Sequence, residues 1–280
     1  MKLSIVLIVK NEEKILDKCL ASVKEADEAV FVDTGSTDDT IKIAKKYTNK
    51  IYHFKWCNDF SKARNFAKDK CTGDWIYSID ADHELLTPIS KVKEIISKAK
   101  VRALSIKSIS KSGWHWRKVI WKNDKDIFWV GKVHENLNTT ENENVNIERR
   151  CGYSDNHKLD TKRNLKILLT MEQTPRTLFY LAKEYYDLKQ FKKAVEYFNK
   201  YLKVSTWVSE KAEAYYYRAS SLWKLQMGDK ARESIYRAIQ ANPDMKKALI
   251  LASTMHYEPW KSKWKAIADR ATNKDVLFVL

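Results

Sequence analysis

The chain has 280 residues, of which 44% are hydrophobic and 12% aromatic, enough to bury one large core or two smaller ones. Its 52 basic and 36 acidic side chains leave a formal charge of +16, and no apolar run approaches the length of a membrane-spanning helix. These properties exclude a helical membrane protein and point to a soluble globular one with an anionic partner.

The apolar run over 3–9 is closed by Lys10-Asn11-Glu12-Glu13 with no small-residue cleavage site, so it reads as a first buried strand and not as a signal peptide. A helix follows, with Ile15, Cys19, Leu20 and Val23 at helical spacing, and then a strand over 29–32. Ser36 or Thr37 is the expected cap of a second helix carrying Ile41, Ala44 and Tyr47. A strand over 51–54, a helix over 61–70, a strand over 75–79 and a helix over 88–100 come next. Such alternation makes a doubly wound, mostly parallel sheet, with ligands at the carboxyl ends of its strands. The polar clusters Lys10-Asn11-Glu12, residues 33–39 and Asp80-Ala81-Asp82 should therefore meet on one rim.

From 101 to 153 the pattern turns strand-rich, over 101–108, 119–121, 127–130 and 145–147. From 158 onward it is helical. Leu178, Leu181, Ala182, Tyr185, Phe191, Ala194 and Phe198 have tetratricopeptide-repeat spacing, which Tyr215, Ala219, Leu222, Ala231, Ala238 and Pro243 reproduce. A degenerate third copy begins at Ala248. Two domains are expected, an α/β catalytic one over 1–157 and an all-α one over 158–280. The charge divides between them, since residues 1–100 carry 18 basic and 16 acidic side chains, and 158–280 carry 24 and 13. Small-ligand chemistry is therefore expected in the first domain, and contact with an extended anion in the second. The four cysteines lack metal-ligand spacing, as expected of reduced thiols in a cytoplasmic protein.

Several motifs occur in order: Ile8-Val9-Lys10-Asn11-Glu12-Glu13, Val32-Asp33-Thr34-Gly35-Ser36-Thr37-Asp38, Phe60-Ser61-Lys62-Ala63-Arg64-Asn65, Gly73-Asp74-Trp75-Ile76, Asp80-Ala81-Asp82, Gly131-Lys132-Val133-His134-Glu135 and Gly152-Tyr153. Together they resemble glycosyltransferase family 2, of GT-A fold, in the subgroup with a C-terminal tetratricopeptide tail. The resemblance implies metal-dependent, inverting transfer of a hexose or pentose from a nucleotide diphosphate sugar, with UDP as the expected nucleotide.

A leaving diphosphate gains charge that a divalent cation neutralises, and hard cations such as Mn²⁺ or Mg²⁺ take oxygen ligands. Asp82 is the expected metal contact, with Asp80 near the donor ribose or the metal and His134 as a further metal or diphosphate contact. By the same resemblance Lys10, Asn11, Asp33, Thr34 and Arg64 line the donor site. Thr34 replaces an acidic residue common in the family. An inverting transfer also needs a base. Glu135 is the first candidate, with His134, His83 and Glu84 left open.

The family's usual arginine before Ile120 is replaced by Val119, for which Arg117 is a substitute, and a histidine preceding the Gly-Tyr pair is replaced by Arg150. Trp114, Trp116 and Trp121 interleave with Lys111, Arg117 and Lys118 in the segment expected to meet the acceptor. Aromatic faces stack on sugars and on unpaired bases, while basic groups meet phosphates. A hydroxymethylated base of DNA, flipped out of its duplex, is the leading acceptor. An envelope saccharide, a lipid-linked acceptor or a peptide is the alternative. An inactive scaffold that binds partners through its repeats is the third reading.

Overall fold

The computed structural model describes residues 1–110, 113–152 and 162–271. They form two compact units on either side of 153–161. The expected divide at 157/158, together with Lys111 and Tyr153, lies outside the described residues.

In the first unit, β1 (Leu3–Val9), β2 (Glu28–Asp33), β3 (Ile51–His53) and β4 (Trp75–Ser78) alternate with α1 (Leu16–Val23), α2 (Thr40–Ala44) and α3 (Phe60–Lys68). The apolar spacing of α1 is the reason it packs, since Leu16, Cys19, Leu20 and Val23 are all buried. Asp59 caps α3, its carboxylate accepting from the Lys62 amide at 3.0 Å. At α2 the cap differs from expectation. Asp39 occupies the N-cap without a side-chain capping bond, its carboxylate pairing with Lys42 instead, while Ser36 and Thr37 are engaged with Asn11 just beyond β1.

After β5 (Glu84–Leu85) and α4 (Ile89–Lys98) come β6 (Ala103–Ser110), β7 (Gly113–Lys122), β8 (Trp129–Val130), β9 (Asn136–Leu137) and β10 (Glu143–Arg150). Eight strands join in the order β3-β2-β1-β4-β7-β6-β10-β5, while β8 and β9 form a separate hairpin. The first four are mutually parallel, β7 runs antiparallel to both neighbours, and β10 lies parallel to β6. Strand order reverses between β1 and β4, which opens a crevice at their carboxyl ends. The core is built on Ile5, Phe31, Ile76, Tyr77 and Trp121, all fully buried.

The second unit holds α5 (Arg163–Leu169) and then three helix pairs: α6 (Pro175–Asp187) with α7 (Phe191–Val204), α8 (Val208–Lys224) with α9 (Gly228–Ala241), and α10 (Lys246–Thr254) with α11 (Trp260–Arg270). Ala182, Ala194, Ala219 and Ala231 are fully buried, the small residues that let paired helices approach. The α10 and α11 pair begins where the degenerate third copy was expected. Among the described residues no helix is long and apolar enough to cross a membrane.

Candidate active site

The site lies at the β1/β4 crevice. Val9 pairs with Asp33 and Val6 with Ser78, so the segments leaving these strands emerge side by side. Asn11, in the left-handed region at φ 55°, turns back and accepts from the Thr37 amide at 2.8 Å. Asp33 is buried and accepts from the amides of Gly35 and Ser36, both at 3.0 Å. Thr34 is tied inward, its hydroxyl donating to the Val9 carbonyl at 3.1 Å, and Lys10 is exposed at the mouth.

Beyond β4 the chain delivers Asp80, Asp82 and His83, whose ligating atoms all lie within 4.8 Å of one another. Two carboxylates and an imidazole form a set suited to Mn²⁺ or Mg²⁺. Burial pushes the His83 imidazole down to about 3, with Arg149 acting in the same direction against Asp80. A neutral imidazole is the form that can ligate a cation. Among the described residues His83 Nδ1 is buried without a hydrogen-bond partner.

Arg64 joins this group to the β8–β9 hairpin. Its guanidinium donates to Glu135 Oε1 at 2.6 Å, to Asp80 Oδ1 at 2.8 Å and to Ser78 Oγ at 3.0 Å, and it lies 5.1 Å from the centre of the Trp129 ring. The hairpin is fixed to α3, because Asn65 exchanges hydrogen bonds with the backbone of Trp129 and the Phe60 amide donates to Lys132 O. Gly131 and His134, at φ 95° and 52°, make the turn that places Glu135 in reach. For Asp80, burial acts upward and is outweighed by Arg64, His83 and Arg149, so its carboxyl sits well below the usual range. Arg117 completes the wall and donates to the Glu135 carbonyl at 3.4 Å.

Arg64 thus joins Asp80 to Glu135, with Asp82 next to Asp80 and His134 next to Glu135 in the chain, while Asn11, Asp33 and Thr34 are tied together at the ends of β1 and β2. The acceptor group divides. Trp121 is fully buried and packs edge-on against Trp129 at 5.5 Å, which corrects its expected role, since no acceptor can stack on a ring enclosed in the core. Trp114 is 51% exposed, lies edge-on to Trp116 and has Lys107 over its ring. Lys118 donates to the Thr139 carbonyl. Two residues that sequence reasoning missed are Ser78, which holds Arg64, and Arg149, buried on β10. The signal for Arg149 was there, because it continues the inward positions Val145 and Ile147.

The family description "Glycosyl transferase family 2" matches residues 4–162, more than half of the chain. The chain belongs to glycosyltransferase family 2. A tetratricopeptide-repeat description matches 175–206. The chain is 48% identical over 86 residues to a TPR repeat-containing protein of Synechococcus elongatus, covering 30% of this chain and 21% of that one. It is 34% identical over 218 residues to the SPbeta prophage-derived glycosyltransferase SunS of Bacillus subtilis, covering 69% and 51%. The chain thus spans about a fifth and about half of these two relatives. Among solved structures, S. aureus TarS 1-349 in complex with UDP-GlcNAc is 16% identical with a TM-score of 0.48, over 98% of this chain and 90% of that one. The GT-A sheet followed by a helical repeat unit is the architecture of this family 2 protein.

Proposed function

We propose that this family 2 protein transfers a sugar from UDP to an acceptor hydroxyl with inversion, using a divalent metal. The observation that carries this reading is the Asp80, Asp82 and His83 group at the strand-order reversal, linked by Arg64 to Glu135. Asp82, Asp80 and His83 would hold Mn²⁺ or Mg²⁺, with His134 on the neighbouring hairpin as a further contact. When bound, the metal supplies positive charge for the diphosphate.

The chain's own residues do the rest. Asp33, oriented by the Gly35 and Ser36 amides, presents a fixed acceptor for the nucleoside, with Asn11, Thr34 and Lys10 shaping its pocket. Glu135 takes the proton from the acceptor hydroxyl as its oxygen bonds to the anomeric carbon and the bond to the diphosphate breaks. Arg64 occupies one oxygen of Glu135 and leaves Oε2 for that proton. Among the described residues Oε2 has no hydrogen bond.

The acceptor we favour is a hydroxymethylated DNA base. Exposed Trp114, adjacent Trp116, the Lys107 and Lys118 ammonium groups on the same face of the β6–β7 pair, and the basic helical unit support it, while Arg117 lies on the other face toward Glu135. The buried Trp121 leaves fewer rings for stacking, which favours a saccharide, lipid-linked or peptide acceptor as the second reading. Four free cysteines fit a cytoplasmic setting. The deciding experiment incubates the protein with UDP-sugars and Mn²⁺, with and without hydroxymethylcytosine DNA or a peptide and glycan library, and reads mass shifts. Slow metal-dependent donor cleavage, lost in Asp82→Asn, is expected. A protein that never turns over any nucleotide sugar is a scaffold.

A further inference from the structure

Arg149 is built differently from Arg64. Burial alternates along β10, with Val145, Ile147 and Arg149 buried while Asn144, Asn146 and Arg150 are exposed. Arg149 is 3% exposed, its Nε donates to Ser108 Oγ at 2.8 Å, and its guanidinium lies toward the buried Tyr77 hydroxyl. Among the described residues Nη1 is buried with no acceptor, and no carboxylate lies within ion-pair reach. A buried guanidinium with no carboxylate in contact, its nearest negative charge being the more distant Asp80, leaves donors that a bound anion would satisfy.

Strand pairing supplies the partners. Arg149 lies beside Ser108, and Ser108 lies opposite His115, so the three side chains line up on one face across β10, β6 and β7. Arg117 is two positions from His115 and shares that face. Trp114 and Trp116 point to the other, where Trp116 pairs with Lys107. Arg149 lies opposite Leu85 on β5, two residues beyond His83, and Arg117 donates to the Glu135 carbonyl, so this row borders the carboxylates, and the charge on Arg149 is felt by Asp80 and His83. Burial pushes His115 down to about 4, with Arg149 and Arg117 adding to it, which leaves a neutral imidazole able to donate one hydrogen bond.

We infer that Arg149, Arg117 and His115 form an oxyanion subsite beside the Asp80, Asp82 and His83 group, shaped for a phosphate-type anion. A guanidinium fork, a second guanidinium and an imidazole donor match the several oxygens of such a group better than a single carboxylate would. The inference rests on the glycosyltransferase reading, in which the anion has two sources: the diphosphate of the donor, or a phosphate carried by the acceptor.

Calorimetric titrations of wild type, Arg149→Met and Arg149→Lys separate these. In one arm UMP and UDP are titrated with Mn²⁺, and in the other inorganic phosphate is titrated into protein saturated with UDP and Mn²⁺. Roughly tenfold or greater weakening of UDP in Arg149→Met, with UMP unchanged, assigns the subsite to the donor. Unchanged UDP affinity, with loss of a phosphate site that wild type shows, assigns it to the acceptor. In both cases Arg149→Met should melt at or above wild type, because it removes an unpaired buried charge. Equal binding by wild type and Arg149→Met in both arms overturns the inference, as does a variant that melts well below wild type, which would make Arg149 structural. If wild type binds no UDP, the transferase reading fails separately. Inorganic phosphate titrated into nucleotide-free wild type and Arg149→Met then decides the subsite alone.

Discussion

Removing the Arg64 guanidinium tests how the site is held together. In Arg64→Met the methionine keeps much of the packing against Trp129 but deletes donors to Glu135, Asp80 and Ser78 at 2.6, 2.8 and 3.0 Å. Glu135 is 6% exposed and loses its neutralising partner, a change that costs about 3–5 kcal/mol for a buried pair. The Asp80 side chain is 40% exposed, so solvent screens its loss and it adds little. A net destabilisation of about 3 kcal/mol is expected, a fall in melting temperature of roughly 6–12 °C for a unit of this size. Urea unfolding followed by circular dichroism measures it. Adding Glu135→Gln should recover about 1.5–3 kcal/mol, because the stranded carboxylate is gone. A loss below about 1 kcal/mol in Arg64→Met, or strict additivity in the double variant, would refute the role of Arg64 as the buried link.

Other outcomes follow from the same geometry. His83→Ala should weaken Mn²⁺ binding by roughly tenfold or more, the scale seen even for losing an outer partner of a metal ligand. Manganese titration monitored by electron paramagnetic resonance checks it, and unchanged affinity removes His83 from the ligand set. His115 is held neutral when folded but charges near pH 6.5 when unfolded, so the unfolded state binds more protons between about pH 6.5 and 4. Stability should therefore fall as pH drops through that window, and His115→Asn should flatten the fall by about 1 kcal/mol or more; parallel melting curves from pH 7 to 4.5 would contradict it. DNA affinity should drop steeply between about 50 and 200 mM salt, and absence of binding at low salt would remove DNA as acceptor.

Much of this was legible before any coordinates. The strand over 3–9, the helical spacing of Cys19, Leu20 and Val23, and the repeat alanines Ala194 and Ala231 follow from periodicity alone, because local pattern and tertiary burial agree there. Polar clusters at strand ends converge by topology, so Asp33, Asp80 and Asp82 could be placed together from their order in the chain. Pairing across distant segments could not be read the same way. Trp121 looked like one more ring in a basic, aromatic run, and only its register opposite Ile76 on β4 encloses it. The β8–β9 hairpin brings Glu135 to Arg64 through Asn65, a contact 71 residues apart that no local spacing encodes. Arg149 was passed over because an arginine beside Arg150 reads as surface charge, although it continues the inward alternation of Val145 and Ile147.

The most direct measurement of the central claim is Mn²⁺ binding, with and without UDP, to wild type and Asp82→Asn. Wild type should bind one Mn²⁺ whose affinity rises when UDP is present, and Asp82→Asn should lose both the site and the coupling. Equal Mn²⁺ affinity in the two proteins, or a wild-type affinity indifferent to UDP, would contradict the assignment of Asp80, Asp82 and His83 as the metal and diphosphate site.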